Sequence, residues 1–166
     1  MRRTSFEHLP CPVAQALDLI GDSWNVLILR EAFYGSTRFD QFLARLGIAS
    51  NVLTRRLRTL VDNGLLQRRQ YNDHPPRFDY LLTERGRDLR PVLLTLLQWG
   101  KRHAGMANTA ELVDTRSGRP VRIALVDADS GEPIGAHHQI HRREGGQLVP
   151  VLPQIAPQNI PPTDHA

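Results

Sequence analysis

Asn51, Thr54, Arg55 and Arg58 are the side chains in this sequence best suited to recognising another molecule. Arginine offers a planar fork of N–H donors that pairs bidentately with guanine or phosphate, and asparagine can do the same with adenine. At about 100° per residue Asn51, Arg55 and Arg58, with Thr59, fall on one side of a helix. Leu53, Leu57, Leu60 and Val61 fall on the other side as a buried stripe, and Arg56 lies on the flank. Ser50 or Asn51 can cap this helix, and Gly64 stops it. A short helix with one apolar face and one cationic, donor-rich face is what a DNA major groove accepts.

Other residue types point to chemistry less directly. Cys11 precedes Pro12 at the start of a helical pattern, where the helix dipole raises the thiolate fraction of a thiol. It reads either as a redox sensor or as an inert cysteine. As the sole cysteine it excludes an intramolecular disulfide framework and any multi-cysteine zinc site. His137, His138 and His141 invite a metal site, but no ligand other than Glu144 stands near, so they read as a solvated polar segment and no metal is expected. Asp127-Ala-Asp129-Ser-Gly131 imitates the opening of a calcium loop without its later ligands, and a hairpin turn explains it. No nucleophile elbow, P-loop, dinucleotide fingerprint or zinc-protease motif occurs, so an enzyme is not expected and no cofactor is implied.

The elements that position these residues follow from periodicity. Residues 1–10 read as a flexible arm. Val13, Ala16, Leu17, Leu19 and Ile20 mark a first helix closed by Gly21. Asp22 or Ser23 caps a second, with Trp24, Leu27, Ile28 and Ala32 inward. Phe39, Phe42, Leu43 and Leu46 mark a third, ending at Gly47. The link Gly47-Ile48-Ala49 to the Asn51/Arg55 helix makes a helix-turn-helix. Residues 65–71 and 78–82 read as two strands around the turn Asn72-Asp73-His74-Pro75-Pro76, which is a wing. Arg68 and Arg69 point to opposite faces of the first strand. Thr83 caps a long final helix, which Pro91 either kinks or truly begins. Leu89, Val92, Leu93, Leu96 and Trp99 make that helix apolar over more than one face. With Val13 and Leu17 they are expected to form a dimer interface.

Domain boundaries follow: the arm, a winged helix-turn-helix and dimerisation domain over 11–104, a small β-rich extension over 105–144, and a Pro-rich, flexible tail over 145–166. No internal repeat is evident. The fold class is mainly α with a small β wing. Residues 1–103 carry 16 basic against 10 acidic residues, whereas 104–166 carry 5 against 7, so a polyanion would dock on the body. No apolar run is long enough for a membrane span, and the N-terminus lacks a signal-peptide core, so a cytoplasmic, nucleoid-associated protein is expected.

Residues 11–103 resemble the HxlR family of bacterial transcription regulators, relatives of the MarR winged-helix proteins. The resemblance rests on Cys11-Pro12, Leu17-Asp-Leu-Ile-Gly-Asp-Ser-Trp24, Leu27-Ile-Leu-Arg-Glu31, Arg38-Phe39, Ile48-Ala-Ser50, Leu53-Thr-Arg-Arg-Leu57, Asn63-Gly-Leu65, Pro75-Pro76-Arg77, Tyr80-Leu-Leu-Thr-Glu-Arg-Gly86 and Trp99. The family usually has Gly-Lys-Trp where this chain has Gly21-Asp-Ser-Trp24, which would remove one phosphate contact. The resemblance implies a homodimeric repressor on a pseudo-palindromic double-stranded operator, with recognition helices in major grooves and wings on the flanks. Ser50, Asn51, Thr54, Arg55 and Arg58 would then face the groove, Thr37 and Arg38 the backbone, and His74 and Arg77 an adjacent groove. Some relatives sense oxidants or electrophiles at the Cys-Pro position, and an unidentified small-molecule effector is a further implied partner. The competing expectation is a winged-helix protein-interaction module that uses the C-terminal extension and does not bind specific DNA.

Overall fold

The computed structural model describes residues 6, 8–104 and 110–151. The chain divides into two units, residues 1–109 and 110–166. The first unit holds α1 (Pro12–Ile20), α2 (Ser23–Phe33), α3 (Phe39–Leu46), α4 (Ser50–Asp62), β1 (Leu66–Asp73), β2 (Pro76–Leu82), α5 (Glu84–Arg87) and α6 (Arg90–His103). This is a mainly helical, winged helix-turn-helix arrangement. Its core joins Ile28 and Leu29 of α2, Phe42 of α3 and the α4 stripe of Leu53, Leu57 and Leu60, closed by Ile48, Leu65 and Leu66. Trp24, Phe39 and Tyr80 pack partly buried around it.

The local signals resolve as follows. Asp22 caps α2, its carboxylate accepting the N–H groups of Trp24 and Asn25. Thr83 caps α5 by accepting from Gly86. Neither Ser50 nor Asn51 caps α4: the cap position is Ala49, in extended conformation with no side-chain bond, and Ser50 already lies inside the helix. Gly47 has φ +60, and its N–H bonds the Leu43 carbonyl at 3.0 Å. The long final helix is broken, with α5 ending at Arg87 and α6 starting at Arg90. Pro91 thus sits in the first turn of α6, where its missing N–H costs nothing.

β1 and β2 pair antiparallel from Leu66 opposite Leu82 to Asp73 opposite Pro76, with a bulge between Gln70 and Asn72. A third extended segment joins them. Arg38 bridges Asp79, and the Tyr80 N–H donates to the Thr37 carbonyl at 2.7 Å. The wing is thereby anchored on the entrance to α3.

The second unit corrects the reading of the extension. A hairpin of β3 (His141–Glu144) and β4 (Gln147–Pro150) straddles the boundary expected at 144/145. Residues 152–166 of the expected tail lie outside the described residues, as do most of residues 1–10. An internal repeat is also present. Leu112-Val-Asp-Thr-Arg-Ser-Gly-Arg-Pro-Val121 aligns with Leu125-Val-Asp-Ala-Asp-Ser-Gly-Glu-Pro-Ile134. The folds of the two segments match bond for bond. Asp114 N–H donates to Arg119 O and Asp127 N–H to Glu132 O, at 3.0 and 2.8 Å; Val121 N–H donates to Leu112 O and Ile134 N–H to Leu125 O, at 2.7 and 2.9 Å. Single β-bridges tie Val113 to Pro120 and Val126 to Pro133. Gly118 and Gly131 take the same left-handed φ, +70 and +74.

Candidate nucleic-acid interface

α4 is held from behind and bare in front. Its buried leucines fix the rotation of the helix, and two polar ties fix its position. Arg56, on the flank, forms an ion pair with the Asp22 carboxylate, and the Asn63 side chain donates to the Leu19 carbonyl at 2.6 Å. Asp22 thus serves α2 as a cap with one carboxylate oxygen and α4 as an anchor with the other.

The outward face carries Asn51, Thr54, Arg55 and Arg58, all exposed. The Arg55 guanidinium has no partner among the described residues. Arg58 meets only Asp62 at 3.8 Å, with the two side chains 83% and 65% exposed, an ion pair that competes weakly with an incoming phosphate. The Thr54 hydroxyl donates to the Ser50 carbonyl at 2.8 Å, so it offers a partner its lone pairs and methyl group. Asn51 folds its carbonyl onto the Val52 N–H at 2.8 Å, which leaves its amide N–H groups outward.

The wing is more committed than its sequence indicates. Asp79 is buried, accepts the Thr37 hydroxyl at 3.1 Å, and pairs with Arg69 at 3.3 Å and Arg38 at 3.9 Å. The Arg68 guanidinium lies over the Phe78 ring, 3.4 Å from its centre, and that of Arg38 lies 4.7 Å from the centre of Tyr71. These contacts spread the wing cations across its two faces. His74 and Arg77 are exposed near its tip. At the other end of the wing, Gln41 of α3 reaches back to accept the N–H groups of Thr37 and Arg38, at 2.8 and 3.0 Å. Asp79, Gln41 and the Asp22–Arg56 pair are the positioning residues that the sequence reading missed. A lone carboxylate among the apolar residues of the returning strand was the available signal for Asp79.

The residues expected at a dimer interface divide. Val13, Leu17, Val92, Leu96 and Trp99 are exposed, with Val92 53%, Leu96 50% and Trp99 62% accessible. Leu89 and Leu93 instead pack against the core of their own chain. Cys11 is exposed at the cap position of α1 and makes no side-chain cap bond. The His137 and His138 rings lie with centres 4.0 Å apart, tilted by 44° to one another. Among the described residues no cluster of His, Cys, Asp or Glu has the arrangement of a metal site, and no helix is long and apolar enough to cross a membrane.

A tight helix–turn–helix beside a hairpin anchored on its first helix defines the winged helix-turn-helix class. Residues 19–108 match the family described as HxlR-like helix-turn-helix, and the chain belongs to that family. An HTH-type transcriptional regulator of Mycobacterium tuberculosis is 50% identical over 88 residues, which is 53% of this chain and 56% of that protein. The chain therefore spans little more than half the length of this relative. The crystal structure of PA1607, a candidate transcription factor, superposes with a TM-score of 0.76 at 40% identity, covering 85% of this chain and 100% of that one. The redox regulator HypR in its reduced form gives a TM-score of 0.54 at 34% identity over 57% of this chain and 95% of that one.

Proposed function

We propose that this protein is a dimeric, sequence-specific DNA-binding repressor of the HxlR type. The observation that carries the reading is the uncommitted Asn51/Thr54/Arg55/Arg58 face of α4, held rigid by the Leu53/Leu57/Leu60 stripe and by the Arg56 and Asn63 ties. A face built for protein contacts would show aromatic or leucine side chains there. Ser50 and Asn51 begin the helix at the groove floor, and Arg55 and Arg58 reach guanine edges or phosphate. Thr37 and Arg38 approach the backbone, and His74 and Arg77 follow an adjacent groove. The exposed Val13, Leu17, Val92, Leu96 and Trp99 cover one another across a two-fold axis and set the distance between the two recognition helices. Cys11, exposed at the end of α1, is where thiol chemistry would act on that dimer.

The test is fluorescence anisotropy on the DNA upstream of the protein's own gene, at two salt concentrations, with an unrelated duplex alongside. Binding that prefers its own promoter, weakens steeply with salt and falls by at least about 100-fold in Arg55→Ala/Arg58→Ala is the expected result. Equal, weak binding to both duplexes overturns it.

A further inference from the structure

The repeat in the second unit conserves its turn and inverts its charge. In both copies an aspartate holds the loop: one oxygen of Asp114 accepts the Arg116 N–H at 2.9 Å, and the corresponding oxygen of Asp127 accepts the Asp129 N–H at 3.1 Å. The other oxygen accepts the Ser117 hydroxyl at 3.1 Å or the Ser130 hydroxyl at 2.9 Å. Those serines in turn accept the N–H groups of Arg119 and Glu132. At two of the variable loop positions the copies carry side chains of opposite charge. In the first copy they are Arg116 and Arg119; at the equivalent places in the second they are Asp129 and Glu132.

Within the chain these opposite charges do not meet. Among the described residues Arg116 pairs only with its own loop's Asp114, at 3.4 Å with its side chain 92% exposed. Arg119, Asp129 and Glu132 form no ion pair among the described residues. Each copy also leaves matching apolar side chains in solvent, Val113 and Val121 in the first, Val126 and Ile134 in the second. Two like-folded loops of opposite charge on a single chain are complementary in charge between chains.

We propose that the extension is a self-recognition module: the basic repeat of one copy docks on the acidic repeat of a second copy, and the reciprocal pair forms by the same two-fold operation. Arg116 and Arg119 face Asp129 and Glu132, and the valine and isoleucine side chains close beneath them. The occupant is a second copy of this chain because the charge pattern that fits each repeat is carried by the other. This contact rests on the pairing of two copies proposed above and adds a second interface to it.

Charge reversal in mixed subunits tests it. Arg116→Glu/Arg119→Glu makes both repeats acidic, and Asp129→Arg/Glu132→Arg makes both basic; neither removes Asp114, Ser117, Asp127 or Ser130, which hold the turns. Exposed ion pairs are individually weak, so the four pairs acting together are expected to favour a dimer by about tenfold. The two full-length variants, mixed and allowed to exchange at low salt, are read by native mass spectrometry. A tenfold penalty on each homodimer gives about nine heterodimers in ten, falling toward one half as salt screens the pairs. A statistical one-half at low salt overturns the repeat contact while leaving the helix-face dimer standing. Monomers in every sample, wild type included, overturn both.

Discussion

Replacing Gly86 with alanine is expected to reverse the sign that helix propensity gives. In an exposed helix this change gains about 0.5–1 kcal/mol by restricting the unfolded chain and improving propensity. At Gly86 the added Cβ would stand 2.1 Å from the Leu65 carbonyl oxygen and 3.2 Å from Leu82 Cδ2. A carbon–oxygen contact needs roughly 3.3 Å, so α5 or the Leu65 peptide must move by about 1 Å. That oxygen is not free to move. It accepts the Thr83 N–H at 3.2 Å and the Thr83 hydroxyl at 3.3 Å, while the same hydroxyl donates to Gly64 O at 2.6 Å. Overpacking costs about 1–3 kcal/mol and each strained hydrogen bond about 1. After the propensity gain, a net loss of about 2 kcal/mol remains. Gly100→Ala in α6 is the internal control: its Cβ meets nothing within 4 Å, so a gain of about 0.5–1 kcal/mol is expected. Urea unfolding followed by circular dichroism at the helical band reads both variants. Equal or increased stability of Gly86→Ala would refute the argument that the helix entrance is locked against the Leu65 peptide.

Further outcomes follow from the same geometry. Leu57→Ala, at a fully buried position among Ile28, Phe42 and Leu53, should lower unfolding stability by about 2–5 kcal/mol; a loss below about 1 would mean that the core closes over the gap. Asp79→Asn keeps an acceptor for Thr37 but removes the charge that Arg38 and Arg69 share. Because those arginines are 53% and 66% exposed, the expected cost is only about 1 kcal/mol. Amide exchange should show it at the Tyr80 N–H, about fivefold faster relative to Leu57, and equal protection would contradict the anchoring role. Acid should melt the repeat hairpins late. The Arg116 N–H, then the Ser117 hydroxyl, holds the Asp114 carboxyl below its ordinary value of 3.8; the Asp129 N–H, then the Ser130 hydroxyl, does the same for Asp127. A depressed carboxyl contributes stability above its unfolded value and loses it as pH falls through the folded one. Amide spectra of residues 114–119 and 127–132 should therefore hold to about pH 4 and collapse below it; collapse already near pH 5 would contradict the hydrogen-bond assignment.

The winged helix was legible because Leu53, Leu57 and Leu60 can be buried together only if Asn51, Arg55 and Arg58 point out. Gly47 marked the end of the helix before it, and Gly64 the end of that helix itself. What escaped is settled by partners distant in sequence. Ser50 and Asn51 have capping chemistry, yet the cap lies where the Gly47 turn puts it. Asp79 looks like a solvent-facing strand residue until Thr37 and Arg38 are folded against it. Leu93 shares α6 with Val92 and Leu96, with Leu89 at its cap position, and only packing against the core separates them. The repeat is a different case. Six of its ten positions are identical at a spacing of 13, and it escaped because two short copies fall below the period at which repeat folds are usually sought. Gly145-Gly146, between Arg142-Arg143-Glu144 and Gln147-Leu148-Val149, was likewise a hairpin signal that the nearby prolines obscured.

The ties on α4 also define a transmission. Both run to the far end of α1: Asn63 holds the Leu19 carbonyl within that helix, and Arg56 holds Asp22 just past it. α1 is nine residues of rigid rod, about 13 Å long, with Cys11 at its other tip. One short helix therefore joins the exposed Cys11 to the two ties that hold α4. If two such helices read one operator, as proposed above, the seating of α1 bears on the distance between them.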